Sequence, residues 1–192
     1  IGNYISEPWN TSMPARYSLS KDWEELKFLK NTVLKVLSDQ KPFNFNSTTV
    51  EFLKKIVNIF GKDRTLFICR KNVDEHILSY TNLKYRIFVH GYNSGKAHLP
   101  WHTDSIPNSF LNNKQVQAFV IRDVELQRKN LFKIADIFNK DITWYEDLYG
   151  NDRKLSLNVI KSWNLGIDYS TLNERLHPRN KYDQTNKHLT LL

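Results

Sequence analysis

A chain of 192 residues, 40% of them hydrophobic, is long enough for one compact domain with a sizeable core, and its formal charge of +8 turns it toward an anionic partner. The single cysteine, Cys69, excludes an intrachain disulfide and a thiolate metal cluster. No apolar stretch approaches the roughly 20 residues of a membrane span, and the lysines are scattered rather than gathered with aromatics, so the chain reads as soluble, cytoplasmic or otherwise, with no membrane span and no nucleic-acid partner.

In chain order, Ile1 to Ile5 reads as the end of a strand, and Ser6-Glu7-Pro8-Trp9-Asn10 as the loop after it, because Pro8 and the small polar residues oppose continued regular structure. From Ser20, a plausible cap, Trp23, Leu26, Leu29, Val33, Leu34 and Leu37 recur at three- and four-residue intervals, which predicts a helix closed by Pro42. Thr48 and Glu51 have capping-box spacing and open a second helix through Val50, Leu53, Ile56, Val57 and Phe60, stopped by Gly61. Thr65 to Cys69 is a continuous apolar run, as expected of a parallel strand covered on both faces, and it ends abruptly in Arg70-Lys71-Asn72. Asn72 and Glu75 then cap a helix that carries Ile77, Leu78 and Tyr80.

Residues 90–113 are rich in Gly, Pro, Asn and Ser and lack a period, which places them in surface loops. A long helix covers about Lys114 to Asn139, with Val116, Phe119, Val120, Val124, Leu131, Ile134 and Phe138 on one side, and leads into a short strand at Ile142-Thr143-Trp144-Tyr145. Glu146-Asp147-Leu148 follows, then a helix through Leu155, Val159, Ile160 and Trp163 that stops near Gly166. Helix and strand alternate, which argues for an α/β fold, a three-layer sandwich around a central parallel sheet.

The segment Leu66 to Tyr80 carries the chemistry. A cation at the carboxyl end of a parallel strand lies where α/β sheets bind ligands, and Ser79, two turns into the next helix, presents a hydroxyl on the same side. Read without any such ligand, the same residues are a solvated strand-to-helix turn. The segment resembles the 3'-phosphate-binding motif of sulfotransferases, in which a strand ends in Arg and a helix supplies Ser eight residues later. Here Lys71 stands eight before Ser79 and Arg70 nine before it, so the role falls to Arg70 and Lys71 jointly; Lys offers a point charge and no bidentate fork.

A second stretch, Asn130 to Phe138 and then Ile142-Thr143-Trp144-Tyr145-Glu146-Asp147-Leu148, resembles the late helix, strand and Tyr-Glu-Asp-Leu corner of the trehalose-sulfotransferase-like group, where the corner is structural. Trp163-Asn164-Leu165-Gly166 fits the end of that unit. The resemblance implies a P-loop nucleotide-hydrolase-like fold and 3'-phosphoadenosine 5'-phosphosulfate as co-substrate, with no metal. Glu7 falls where several members carry the general base that takes the acceptor's proton. The family's 5'-phosphosulfate loop is not found among these residues, so 1–192 reads as a single sulfotransferase-like domain lacking its N-terminal strand and phosphate-binding loop. The acceptor is a hydroxyl-bearing carbohydrate, lipid, peptide or small molecule, and the basic C-terminal residues Arg179, Lys181 and Lys187 are candidates to close over the nucleotide.

Two other readings stand beside this one. The Lys in place of Arg is compatible with a sulfotransferase-like scaffold or interaction module whose cofactor site has eroded. His102 and Asp104 have the His-x-Asp spacing of a non-haem Fe(II) oxygenase, with His177 or His188 as distal ligand, but such a site needs the strands of a β-barrel. Otherwise His98, Trp101 and His102 belong to an acceptor-binding loop or cap the core. The Asn-, Lys- and Ile-rich composition points to an AT-rich coding genome, such as a bacterium or phage.

Overall fold

A computed structural model describes residues 4–6, 33–42, 45–90, 106–149, 158, 161 and 162. The elements in order are β1 (Tyr4–Ser6), β2 (Val33–Lys35), α1 (Thr49–Phe60), β3 (Ile68–Cys69), α2 (Val73–His90), α3 (Asn108–Leu111), α4 (Lys114–Ile137), β4 (Thr143–Trp144) and α5 (Tyr145–Tyr149). Among the described residues both strand pairs are parallel: β1 runs beside β2 in the register Ile5 to Leu34, and β3 beside β4 in the register Cys69 to Trp144. Parallel neighbours need long crossovers, and that between β3 and β4 contains α2, α3 and α4. The chain is therefore broadly α/β.

Local signals place α1 as the sequence predicts. Thr48 Oγ1 accepts from Glu51 N at 3.2 Å, and Gly61 ends the helix at φ 86°, a backbone conformation that residues with a Cβ rarely adopt. One row of α1, Val50, Leu53 and Val57, packs with Phe67, Ile134 and Ala135. The adjacent row, Phe52 and Ile56, packs with Phe45. Val36, half-buried just past β2, touches both clusters and so packs the segment after β2 against the α1 core.

Five expectations need correction. Val33–Lys35 is a strand, so the expected helix does not run through to Pro42, while Ser20, Trp23, Leu26 and Leu29 lie outside the described residues; Val33 and Leu34 fit a helical period by coincidence, in a strand too short to show its own. The β3 run is covered on one face only, since Phe67 and Cys69 are buried while Ile68 between them is exposed. Residues 108–111 form the short helix α3 within the stretch read as loop, and Tyr145 opens α5 rather than ending β4. Helix α4 ends at Ile137, because Lys140 N donates to Ala135 O and Asn139 N to Asp136 O around Asn139 at φ 51°, a Schellman stop with Asn in the left-handed position.

The buried side of α4 is not purely apolar. Between Val124 and Ile134 it carries Gln127 and Asn130, both buried, while Phe119 is exposed beneath Lys84 and Arg122. The two buried amides hold the turn after β2. Asn130 Nδ2 donates to Ser38 O at 2.8 Å, Ser38 Oγ donates to Gln127 O at 2.6 Å, and Gln127 Nε2 donates to Asp39 Oδ2 at 3.1 Å. Polar groups taken from water need such partners. Among the described residues no helix is long and apolar enough to cross a membrane.

Candidate functional site

Because β3 and β4 are parallel, both leave the pair at the same edge, and the residues after them meet. With Cys69 beside Trp144, Arg70 comes to Tyr145 and Lys71 to Glu146. The Arg70 guanidinium lies 4.4 Å from the Tyr145 ring centre, and its Nη1 is 3.7 Å from Glu75 Oε2 in the first turn of α2. Lys71 N donates to Glu146 Oε2 at 2.9 Å, and Lys71 Nζ pairs with Asp147 Oδ1 at 2.7 Å. Asn72 caps α2, its Oδ1 accepting from Asp74 N and Glu75 N.

A third cation enters from α4. Arg128 Nη1 donates to Arg70 O at 2.7 Å and lies 3.2 Å from Cys69 Sγ, while its guanidinium is over Phe132, which in turn contacts Trp144. Beneath these groups stands His76, one turn into α2. Its Nδ1 is buried and, among the described residues, has no hydrogen-bond partner, as is true of Glu146 Oε1. Burial first, then the charges of Arg128 and Arg70, hold the imidazole down at about 4, with Glu146 opposing, so His76 is neutral at pH 7. Burial also pushes the Cys69 thiol up against the pull of Arg128, which leaves it protonated and poorly nucleophilic.

The predicted cations Arg70 and Lys71 are thus brought together at one strand end, and Cys69 is buried in the strand as expected. Ser79 sits on α2, half-buried, about 10 Å of helix rise beyond Asn72. Among the described residues no hydrogen bond joins it to Arg70 or Lys71. Arg128, His76, Glu146 and Asp147 were not singled out as site residues in the sequence. The signal that finds them is the strand register, since once β3 and β4 are paired in parallel the Tyr-Glu-Asp corner must face the Arg-Lys-Asn turn.

Glu7, His98, Trp101, His102, Asp104, His177, Arg179, Lys181, Lys187 and His188 lie outside the described residues. Residues 106–149, which follow the His-x-Asp pair, form three helices and one short strand instead of successive barrel strands. Among the described residues no group of three or more His, Cys, Asp or Glu is placed to hold a metal ion. Three cations of differing reach, Arg70, Lys71 and Arg128, thus gather with the carboxylates of Glu75, Glu146 and Asp147 at the mouth of a parallel strand pair, beside the start of an eighteen-residue helix. No protein-family model, curated protein or solved structure matches the chain.

Proposed function

We propose that the chain is a sulfotransferase-like three-layer α/β/α domain that binds 3'-phosphoadenosine 5'-phosphosulfate and passes its sulfuryl group to an acceptor hydroxyl. The observation that carries this reading is the Arg70-Lys71 turn at the carboxyl end of a parallel strand, followed at once by α2. In this reading Arg70, Lys71 and Ser79 hold the nucleotide's 3'-phosphate. The acceptor oxygen forms the new bond to sulfur, the bond from sulfur to the bisphosphate breaks, and Glu7 takes the acceptor's proton. The acceptor is a hydroxyl on a carbohydrate, lipid, peptide or small molecule.

A second reading has its own observation. The cations at the turn are engaged by the chain itself, Arg70 by Glu75 and Tyr145, Lys71 by Asp147, and Arg128 by the Arg70 carbonyl. Such mutual neutralisation suits a scaffold or interaction domain that has kept the fold and not the cofactor.

Calorimetric titration of the full chain with adenosine 3',5'-bisphosphate decides between them. Saturable binding that is lost in the Arg70→Ala, Lys71→Ala double variant, and weakened in Ser79→Ala at unchanged melting temperature, supports the nucleotide site. A folded chain that binds no bisphosphate overturns the nucleotide reading and leaves the scaffold in front.

A further inference from the structure

Among the described residues, carboxylates face both cations of the turn. Lys71 receives Asp147 Oδ1 at its ammonium, 2.7 Å away, and Glu146 Oε2 at its backbone N–H, 2.9 Å away; Glu75 Oε2 faces Arg70 Nη1 at 3.7 Å. The two contacts at Lys71 have the length of charge-assisted hydrogen bonds to an oxyanion. Glu146 and Asp147 stand in the first turn of α5 and Glu75 in the first turn of α2, so the two sides of the turn each supply an internal anion.

The three pairings differ in how firmly they are held. Glu146 is half-buried and bonds a backbone amide that cannot move away. The side chains of Lys71 and Asp147 are 51% and 42% exposed, which makes theirs a water-screened pair of two mobile groups and the easiest of the contacts to exchange.

We infer that Asp147 is an internal competitor for the anion site, its carboxylate occupying at Lys71 the position a bound phosphate oxygen takes. This rests on the reading of the Arg70-Lys71 turn as a phosphate site. An incoming phosphomonoester carries more charge than one carboxylate and offers three oxygens, so it displaces Asp147 from Lys71 while Glu146 keeps the Lys71 amide. The displaced carboxylate turns to water but remains nearby, and its repulsion of the bound anion lowers affinity. Asp147 thereby sets the ligand concentration at which the site fills.

The test is the affinity of the full chain for adenosine 3',5'-bisphosphate in wild type, Asp147→Asn, Asp147→Ser and Lys71→Ala, at low salt, with melting temperature as the check on folding. Removing one negative charge beside the bound phosphate tightens binding roughly three- to tenfold in both Asp147 variants, and the gain shrinks as salt screens the repulsion. Asp147 variants that bind no better than wild type, while Lys71→Ala binds worse, overturn the role of Asp147 and leave the phosphate site standing. Absence of binding in wild type and Asp147 variants alike overturns both.

Discussion

The guanidinium of Arg128, on α4, donates a 2.7 Å hydrogen bond to the backbone carbonyl of Arg70, the first residue beyond β3. It ties a strand end whose ladder has run out to the longest described helix, and it does so with a charged donor in a half-buried setting. Arg128→Met keeps much of the apolar stem and removes the donor. It is expected to cost about 1.5–3 kcal/mol by denaturant unfolding, the range for hydrogen bonds from charged groups, and to raise the His76 pKa because one of the two cations that depress it is gone.

His76 makes stability depend on pH in a definite direction. Its folded value of about 4 lies below the ordinary 6.5, so between those values the unfolded chain binds a proton that the folded chain refuses. The contribution is fully present above about 6.5 and is lost as pH falls toward 4. Discounted for the part of the ring that water reaches, it amounts to roughly 1–2 kcal/mol. Denaturation midpoints measured from pH 7 to pH 4 should fall less steeply in His76→Gln than in the wild type. An unchanged slope would show that the ring is solvated in the folded state.

Asp39 acts in the opposite sense. Burial raises its pKa above 3.8, with the hydrogen bond from Gln127 opposing, so as pH falls through the interval above 3.8 the folded chain takes up a proton before the unfolded chain does. On its own this group makes the fold more stable as the solution is acidified. Asp39→Asn preserves an oxygen for Gln127 and removes the buried charge, so at pH 7 it should be neutral or stabilising by up to about 1 kcal/mol. Asp39→Ala, which leaves the buried Gln127 amide without its acceptor, should cost about 1–3 kcal/mol. Equal effects of the two would refute the distinction.

Gly61 isolates a backbone term. A Cβ added there meets nothing within 4 Å, so the only penalty of Gly61→Ala is the conformation itself, φ 86° and ψ 136° at the end of α1. A loss of roughly 1–3 kcal/mol is expected, with unfolding cooperativity unchanged. A loss near zero would mean that the α1 terminus relaxes to another turn.

What was legible in the sequence was what is decided locally. Thr48 and Gly61 bracket α1 and Asn72 caps α2, each through contacts a few residues apart. Val33–Lys35 was illegible because three residues carry no period, and the partner that makes them a strand, Tyr4–Ser6, is remote in the chain. Gln127 was illegible for a different reason. A glutamine on a helix stripe looks like a break in the apolar face, until the turn at Ser38 and Asp39 is packed against it and gives its amide a reason to be buried. Of the site, Arg70 and Lys71 stood out by ending an apolar run, whereas their carboxylate partners required the register of β3 against β4.

That register also fixes when the site comes into being. Arg70 and Lys71 leave one strand and Glu146 and Asp147 the other, and the chain between Ile68 and Thr143 holds α2, α3 and α4. Closing so long a loop for a two-residue ladder is an entropic burden met only after the α1–α4 core has condensed. The Lys71 amide, held by Glu146 across that closure, should therefore be among the last to gain protection from hydrogen exchange during folding and among the first to lose it in denaturant, well before the amides at the centre of α4. Assembly of the Arg70-Lys71 turn against its carboxylates and completion of the fold are in this sense one event.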